Sequence, residues 1–142
     1  MTLDAKGRFA MPARYRDGLL TQCSGQLVMT VDRDCLLLYP LPTWEEIERK
    51  LSQLPTLNPQ VRRLQRLMIG YATEVELDGH GRVRLPRELR EFVGLDRQVM
   101  LIGQSNKFEL WDAERWAERR DTWLHEETEE SGLPAELESL SL

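Results

Sequence analysis

Two short segments of the chain combine an aspartate, a glycine three residues later and an arginine directly after it. An aspartate side chain accepts hydrogen bonds from the backbone of its own turn, and glycine adopts the positive φ that closes a tight hairpin. The planar fork of arginine can hold phosphate, or a guanine edge, with two hydrogen bonds. The pattern therefore predicts two turns that each expose an anion-binding arginine. The six residues are Asp4, Gly7, Arg8, Asp78, Gly81 and Arg82.

The two turns belong to a longer internal repeat. Residues 3–12 align without a gap with residues 77–86, at an offset of 74. Further blocks follow in the same order: 27–29 aligns with 98–100 at an offset of 71, and 36–39 aligns with 108–111 at an offset of 72, followed by Trp44 with Trp116. Matched blocks in one order, whose offsets drift only by loop lengths, indicate a duplicated module.

The residues after each turn alternate between polar and apolar, which is typical of a half-buried strand. Successive side chains of a strand point to opposite faces, so basic and apolar residues separate. The inward residues are Phe9, Met11, Val83 and Leu85, and the outward ones are Arg8, Arg82 and Arg84.

Prolines and apolar spacing predict the remaining elements of each module. Pro12 and Pro86 suit the first turn of short helices, and Gly94 is placed to end the second helix. Two further strands close each module, over 27–31 and 36–39 in the first and over 99–102 and 108–111 in the second.

Helical patterns separate and follow the modules. Thr43 with Glu46 is a capping-box signature, Asn58-Pro59 begins another helix, and Asp112 is placed to cap a last one. From residue 126 onward the chain is acidic, and this composition predicts that the last helix frays into a loose tail. The expected division is a first module at 1–44, a helical insert at 45–71, a second module at 72–116, and a C-terminal helix with acidic tail at 117–142.

The net charge of −5 is unevenly distributed. Residues 112–142 hold ten acidic side chains and three arginines, which gives −7 and leaves +2 for residues 1–111. Acidity concentrated at one end leaves a nucleic-acid partner open for the remainder of the chain. The longest apolar runs are too short to cross a bilayer. Cys23 and Cys35 form neither a disulfide framework nor a zinc-ligand spacing, and both are expected to be packed thiols.

The paired Asp-x-x-x-Arg motifs resemble those of the MraZ family, which is a duplicated member of the AbrB/SpoVT-like DNA-binding superfamily. The strings Cys-Leu-Leu-Leu-Tyr-Pro-Leu-Pro-Thr-Trp at 35–44 and Asn-Lys-Phe-Glu-Leu-Trp at 106–111 extend the resemblance to nearly the whole chain. The resemblance implies a mainly β fold with added helices, a swapped-hairpin, double-split β-barrel from two tandem repeats. The two halves of one chain would build this barrel, or would exchange with neighbouring chains.

The resemblance also implies a function. MraZ proteins form closed rings and bind short direct repeats in double-stranded promoter DNA. They regulate, commonly as repressors, the bacterial division and cell-wall gene cluster that includes their own gene, and they are cytoplasmic and associate with the nucleoid. No catalytic residue, metal, cofactor, small-molecule substrate or membrane partner is expected. The expected DNA contacts are Lys6, Arg8, Arg14, His80, Arg82, Arg84 and Arg87, of which Arg8 and Arg82 carry over the family's motif arginines.

One departure from the family pattern concerns the first strand. Residues 72–77 make a full strand before Asp78, whereas only three residues precede Asp4. The expectation is that Met1 is a late start or a truncation that leaves one strand short.

Other interpretations stay open at this point. An exposed arginine on a hairpin can be simple solvated surface, and Asp4 and Asp78 are expected to shape turns and not to serve acid–base catalysis. A basic cluster at Arg62, Arg63 and Arg66 favours a solvated or intersubunit role. The superfamily also contains the antidote halves of toxin–antidote pairs, which bind DNA and a toxin.

Two further functions are disfavoured. Enzymatic activity is not expected because His80 and His125 stand beside no nucleophile in a known pattern, and because there is no Gly-rich phosphate loop. RNA binding is disfavoured because the sequence contains no motif rich in aromatic residues of the kind that stacks on unpaired bases.

Overall fold

A computed structural model describes residues 1–129 of the 142-residue chain. The predicted loose tail therefore lies largely outside the described residues. The strands are β1 (Arg8–Ala10), β2 (Gln26–Val31), β3 (Leu36–Pro40), β4 (Thr73–Glu76), β5 (Arg82–Arg84), β6 (Val99–Gln104) and β7 (Lys107–Asp112). The helices are α1 (Ala13–Cys23), α2 (Leu41–Ser52), α3 (Pro59–Leu64), which continues as a π-helical turn (Gln65–Ile69), α4 (Arg87–Phe92) and α5 (Ala113–Glu129).

The strands form two antiparallel sheets. Strands β1 and β5 pair as a two-stranded ribbon, and the other five form a sheet in the order β4-β2-β3-β7-β6. Residues before the first turn add to the edge of that sheet, because Thr2 bridges Gln98 and the backbones of Met1 and Val99 bond to each other. The short segment at residues 1–2 therefore lies beside β6 in the same way that β4 lies beside β2.

Strand register relates the two modules by an internal two-fold symmetry. In the ribbon, Phe9 faces Val83, its own counterpart at an offset of 74. In the large sheet, Leu37 of β3 faces Glu109 of β7, its counterpart at an offset of 72. Each module therefore contributes one strand to the ribbon, the first contributes β2 and β3 and the second β4, β6 and β7 to the large sheet, and both ribbon and sheet are centred on a pair of equivalent residues.

The register corrects one part of the repeat alignment. Leu27 pairs with Pro40 in the first module, and Val99 pairs with Asp112 in the second. Leu27 is therefore equivalent to Val99 at an offset of 72, and the offset of 71 expected for this block is wrong. A slip of one residue exchanges the two faces of a strand, and only the corrected alignment matches residues of the same apolar cluster, Leu27 with Val99 and Met29 with Leu101.

The expectation of a double-split barrel is not confirmed. The described residues form an open five-stranded sheet and a separate ribbon, with no closed barrel. The mixture of antiparallel β-structure with added helices agrees with the expectation, and the predicted strand pairs β2–β3 and β6–β7 are present.

Apolar side chains pack on both faces of the large sheet. One cluster joins the ribbon to one face of the sheet, and it contains the predicted inward residues Phe9, Met11, Val83 and Leu85 together with α1 and α4 residues. The second cluster lies on the opposite face around Trp44 and Trp111, with Trp116 of α5 packed against it. Strands β2 and β3 are almost entirely buried because both faces are covered.

The helix starts differ from two expectations. Pro12 and Pro86 occupy the N-cap positions of α1 and α4, one residue before the first helical turn, with extended backbone angles. The prediction of a capping box at Thr43 and Glu46 is wrong, because α2 already begins at Leu41, with Pro40 as its N-cap and no side-chain hydrogen bond at the cap. Strand β3 ends at Pro40, and α2 begins at the next residue without a loop between them. The fixed φ of Pro40 is compatible with this direct change from strand to helix.

The other predicted helix ends are confirmed. The Asn58 side chain accepts a hydrogen bond from the Gln60 backbone N–H, and Asp112 accepts one from Arg115. Gly94 follows α4 with a φ of 67°. Within residues 1–129, none of the helices combines the length and the apolar character that crossing a bilayer requires.

Candidate nucleic-acid interface

The β1–β5 ribbon brings the motif arginines of both modules together. Arg8 faces Arg84 across the ribbon, and Arg82 faces Ala10. Phe9 and Val83 between them are buried, which confirms the predicted alternation and leaves the arginines on the outer side. Like charges directly opposite each other on a sheet are destabilising. Asp4 balances the charge of Arg8, whereas Arg84 makes no ion pair within residues 1–129, so its charge is available to an anionic partner at this surface.

Each end of the ribbon continues into one of the two motif turns, and their hydrogen bonds match. Asp4 Oδ1 accepts the backbone N–H groups of Lys6 and Arg8, each at 2.9 Å. Asp78 Oδ1 accepts those of His80, at 2.8 Å, and Arg82, at 2.9 Å. The turn-forming role of both aspartates is what this geometry supports.

Glycine closes both turns in the left-handed region, with φ of 73° at Gly7 and 74° at Gly81. The N–H of each glycine donates to the carbonyl of the aspartate three residues earlier, at 2.9 and 3.0 Å. A side chain at either position would strain the backbone, because L-residues rarely adopt these angles.

The second carboxylate oxygen of each aspartate orients the motif arginine. Arg8 Nε donates to Asp4 Oδ2 at 2.7 Å, and Arg82 Nε donates to Asp78 Oδ2 at 3.1 Å. These bonds use the Nε edge, whereas the Nη atoms carry the other four N–H donors of each guanidinium. The side chains are 22% and 33% exposed, so both arginines are partly covered but not enclosed.

The same contacts keep both aspartates ionised. The pKa of the Asp4 carboxyl lies below its ordinary value, chiefly because the Arg8 backbone N–H donates to it, with the Arg8 guanidinium assisting. The pKa of Asp78 is lowered in the same way by the backbone of Arg82, then by that of His80. An ionised acceptor holds its arginine in one orientation, which suits binding and offers no proton for catalysis.

The remaining predicted contacts lie around the turns at different distances from the ribbon. Lys6 and His80 are exposed at the two turn tips. Lys6, Arg84 and Arg87 line one surface depression. Arg87 donates to Glu91 of its own helix at 2.9 Å and is 83% exposed. Arg14 lines a separate depression with Lys107, its guanidinium over the ring of Tyr15, so it is not gathered with the others.

Two arginines outside the predicted set connect the modules at the turns. A Cβ built on Gly7 would lie 2.6 Å from Arg90 Nη1, and one built on Gly81 would lie 2.6 Å from Arg16 Nε. Arg16 and Arg90 are equivalent at the offset of 74, so each module places an arginine against the turn of the other. Arg16 Nε also donates to the Met11 carbonyl. The sequence signal for them is their matched position in the repeat.

The basic cluster at Arg62, Arg63 and Arg66 is exposed on α3 and the π-helical turn, in the insert between the modules. Within residues 1–129, the one group of three potential metal-ligating side chains also lies away from the turns, at Asp32, Cys35 and Glu109.

Comparison with known proteins gives a consistent result. The model of the family described as "MraZ protein, putative antitoxin-like" matches residues 1–67 and again residues 68–131. A transcriptional regulator MraZ of Thioalkalivibrio sulfidiphilus is 59% identical over the whole chain and 95% of its own length. The proteins of the same name from Alkalilimnicola ehrlichii and Pseudomonas aeruginosa are 55% and 52% identical, with the same coverage.

Proposed function

Because the chain belongs to the MraZ family, we propose that it is a DNA-binding transcriptional regulator that uses its paired turns to bind double-stranded DNA. The observation that carries this proposal is the ribbon, on which the register pairs two equivalent Asp–Gly–Arg turns around Phe9 and Val83. Relatives named as transcriptional regulators, which the chain covers over 95% of their length, support it.

A two-stranded ribbon has the dimensions to enter the major groove of B-form DNA. Arg8 and Arg82, oriented by their aspartates, would bind guanine edges or phosphates with their Nη atoms. Lys6 at one turn tip, and His80 at the other when it is protonated, would add phosphate contacts. Arg84 and Arg87 would extend the contact along the neighbouring backbone, with Arg14 at its margin.

The finer proposal follows the family resemblance. We expect a cytoplasmic, nucleoid-associated protein that represses the division and cell-wall gene cluster, including its own gene, through short direct promoter repeats. One pair of turns binds weakly, and a ring of several copies would gain affinity if its spacing matched the repeats. The division at residues 1–44, 45–71, 72–116 and 117–142 belongs to this proposal. A swapped-hairpin barrel belongs to it through exchange with neighbouring chains, because residues 1–129 of one chain form no closed barrel.

A footprint on the DNA upstream of the protein's own gene, run across salt concentrations, tests the function. We expect protection of regularly spaced short repeats and a log–log slope of affinity against salt of about −0.9 for each phosphate contacted. A fragment with the repeats scrambled is the matched control. Equal protection of both fragments, or protection of neither, would contradict sequence-specific regulation.

An antidote role is the second candidate, because the description of the matching family model includes the term antitoxin. Such a protein would bind DNA and a toxin protein together. Purification of the chain from its native host would then recover a second protein in a fixed ratio. Recovery of the chain without a stoichiometric partner favours the regulator.

A further inference from the structure

Three side chains with metal-ligating atoms converge at the turn between β2 and β3. Asp32 and Cys35 belong to that turn, and Glu109 reaches it from the neighbouring strand β7. The Cys35 sulfur and one carboxylate oxygen from each acidic residue all lie within 4.8 Å of one another. This group combines one soft and two hard donors, and it joins residues of both modules.

The thiol of Cys35 is buried without a polar partner. Its residue is 1% exposed, and no hydrogen bond from its sulfur is present among residues 1–129. The other cysteine behaves differently, since Cys23 is only half-buried and its thiol donates to the Leu19 carbonyl at 3.2 Å within α1. Cys35 is therefore a packed thiol of the second apolar cluster, as expected, and its sulfur lies within 4.8 Å of a carboxylate oxygen of both Asp32 and Glu109.

The carboxylates of the group also lack a cation. Asp34 nearby is bound by Arg115 at 2.6 Å and Arg119 at 3.7 Å, whereas Asp32 and Glu109 make no ion pair within the described part of the chain. The Trp111 Nε1–H donates to Glu109 Oε1 at 3.1 Å and fixes its orientation. Metal-ligating side chains are commonly oriented by such outer hydrogen bonds.

We propose that Asp32, Cys35 and Glu109 bind one Zn²⁺ ion, with water in the fourth position. Zinc accepts thiolate and carboxylate together, whereas Mg²⁺ and Ca²⁺ select oxygen ligands alone. Bond lengths of about 2.3 Å to sulfur and about 2.0–2.2 Å to oxygen require the donors to contract by about 1 Å. Asp32 is exposed, and its Oδ1 accepts a 2.7 Å hydrogen bond from the Arg33 backbone N–H, so a rotation that keeps or exchanges this bond can supply that movement.

Binding would displace the thiol proton of Cys35 to the buffer as the zinc–sulfur bond forms. The ion would then link the β2–β3 turn of the first module to β7 of the second. It would lie beside Asp34, which holds α5 through Arg115 and Arg119. The expected consequence is a zinc-dependent rise in Tm, because an ion that binds only the folded chain stabilises it.

Cobalt(II) titration of the untagged, full-length, reduced protein tests the site, because cobalt replaces zinc and is coloured. We expect a thiolate-to-cobalt charge-transfer band that saturates at one ion per chain and is bleached by added Zn²⁺. Zn²⁺ should raise the Tm by several degrees. Histidines or the acidic tail can bind cobalt but cannot produce a thiolate band.

Cys35→Ser should abolish the band, and Cys23→Ser is the matched control that should retain it. If Cys35→Ser does not fold, Glu109→Gln and Asp32→Asn carry the test. The glutamine keeps an acceptor for Trp111, and each variant should weaken cobalt binding at least tenfold. The proposal is overturned if the wild type gives no thiolate band, if the band persists in Cys35→Ser, or if Glu109→Gln and Asp32→Asn both bind as the wild type does.

Discussion

Removal of both motif arginines is the most direct test of the interface. In Arg8→Ala/Arg82→Ala, each turn keeps its aspartate, its glycine and their backbone hydrogen bonds, and loses only the arginine side chain beyond Cβ. The two ion pairs are partly exposed, and exposed pairs contribute about 0–1 kcal/mol each. The variant should therefore fold and assemble as the wild type does, with a Tm lower by a few degrees at most.

The effect on DNA should be much larger. A well-placed arginine contributes about 1–3 kcal/mol to recognition of its base, so two contribute about 2–6 kcal/mol. This corresponds to a loss of about 30-fold to 10⁴-fold in affinity per chain for the promoter fragment. A closed ring would enlarge the loss, because every subunit carries the same change.

Fluorescence anisotropy with the upstream fragment, repeated at several salt concentrations, measures the loss and identifies its cause. If the arginines bind phosphate, the magnitude of the salt slope falls by about 0.9 for each contact removed. If they bind guanine edges, the slope is retained and the ratio of specific to non-specific affinity falls.

Arg49→Ala/Arg120→Ala is the matched control, since it removes the same charge from exposed positions on α2 and α5. It should bind nearly as the wild type does. Undiminished binding by a folded Arg8→Ala/Arg82→Ala protein would refute the proposed interface. An equal loss of affinity in the control would show that the loss is a non-specific effect of the removed charge.

The turns, their glycines and the tryptophan core give further testable outcomes. Asp4→Asn/Asp78→Asn should weaken DNA binding, because each arginine loses an ionised acceptor. Because the pKa values of both aspartates are lowered in the folded protein, the wild type should have a higher urea midpoint than this variant at neutral pH. The difference should disappear as the pH falls below 3.8, and urea titrations at a series of pH values measure it. Gly81→Ala should cost about 1–2 kcal/mol of unfolding free energy in the same titration, whereas Gly79→Ala, which meets nothing within 4 Å, should change it little. Trp111→Ala should cost about 3–5 kcal/mol and lower the urea midpoint without altering the turn arginines.

Local chemistry made much of the fold predictable. The turn from Asp78 to Arg82 depends on residues within five positions of each other, and the alternation around Phe9 follows from the geometry of a single strand. The order of strands and helices was accordingly predicted, and the family resemblance implied that the two halves would pair with each other or exchange with neighbouring chains. Helix starts were less predictable at Pro40, where a strand passes into a helix without a loop.

Relations between distant segments required the tertiary structure. The equivalence of Leu27 with Val99 depends on which residue each strand faces, and the sequence alignment was consistent with a slip of one position. The contact of Arg16 with Gly81 crosses from one module to the other.

The sequence by itself determined the two turns, their arginines and the inward faces of the strands, because these depend on backbone preferences and side-chain alternation over a few residues. Only the tertiary structure decided that the turns share one ribbon, that no closed barrel forms within residues 1–129, and that Cys35 meets Glu109. Pairing of distant strands is set by the combined burial of both modules. No short window of sequence carries that information.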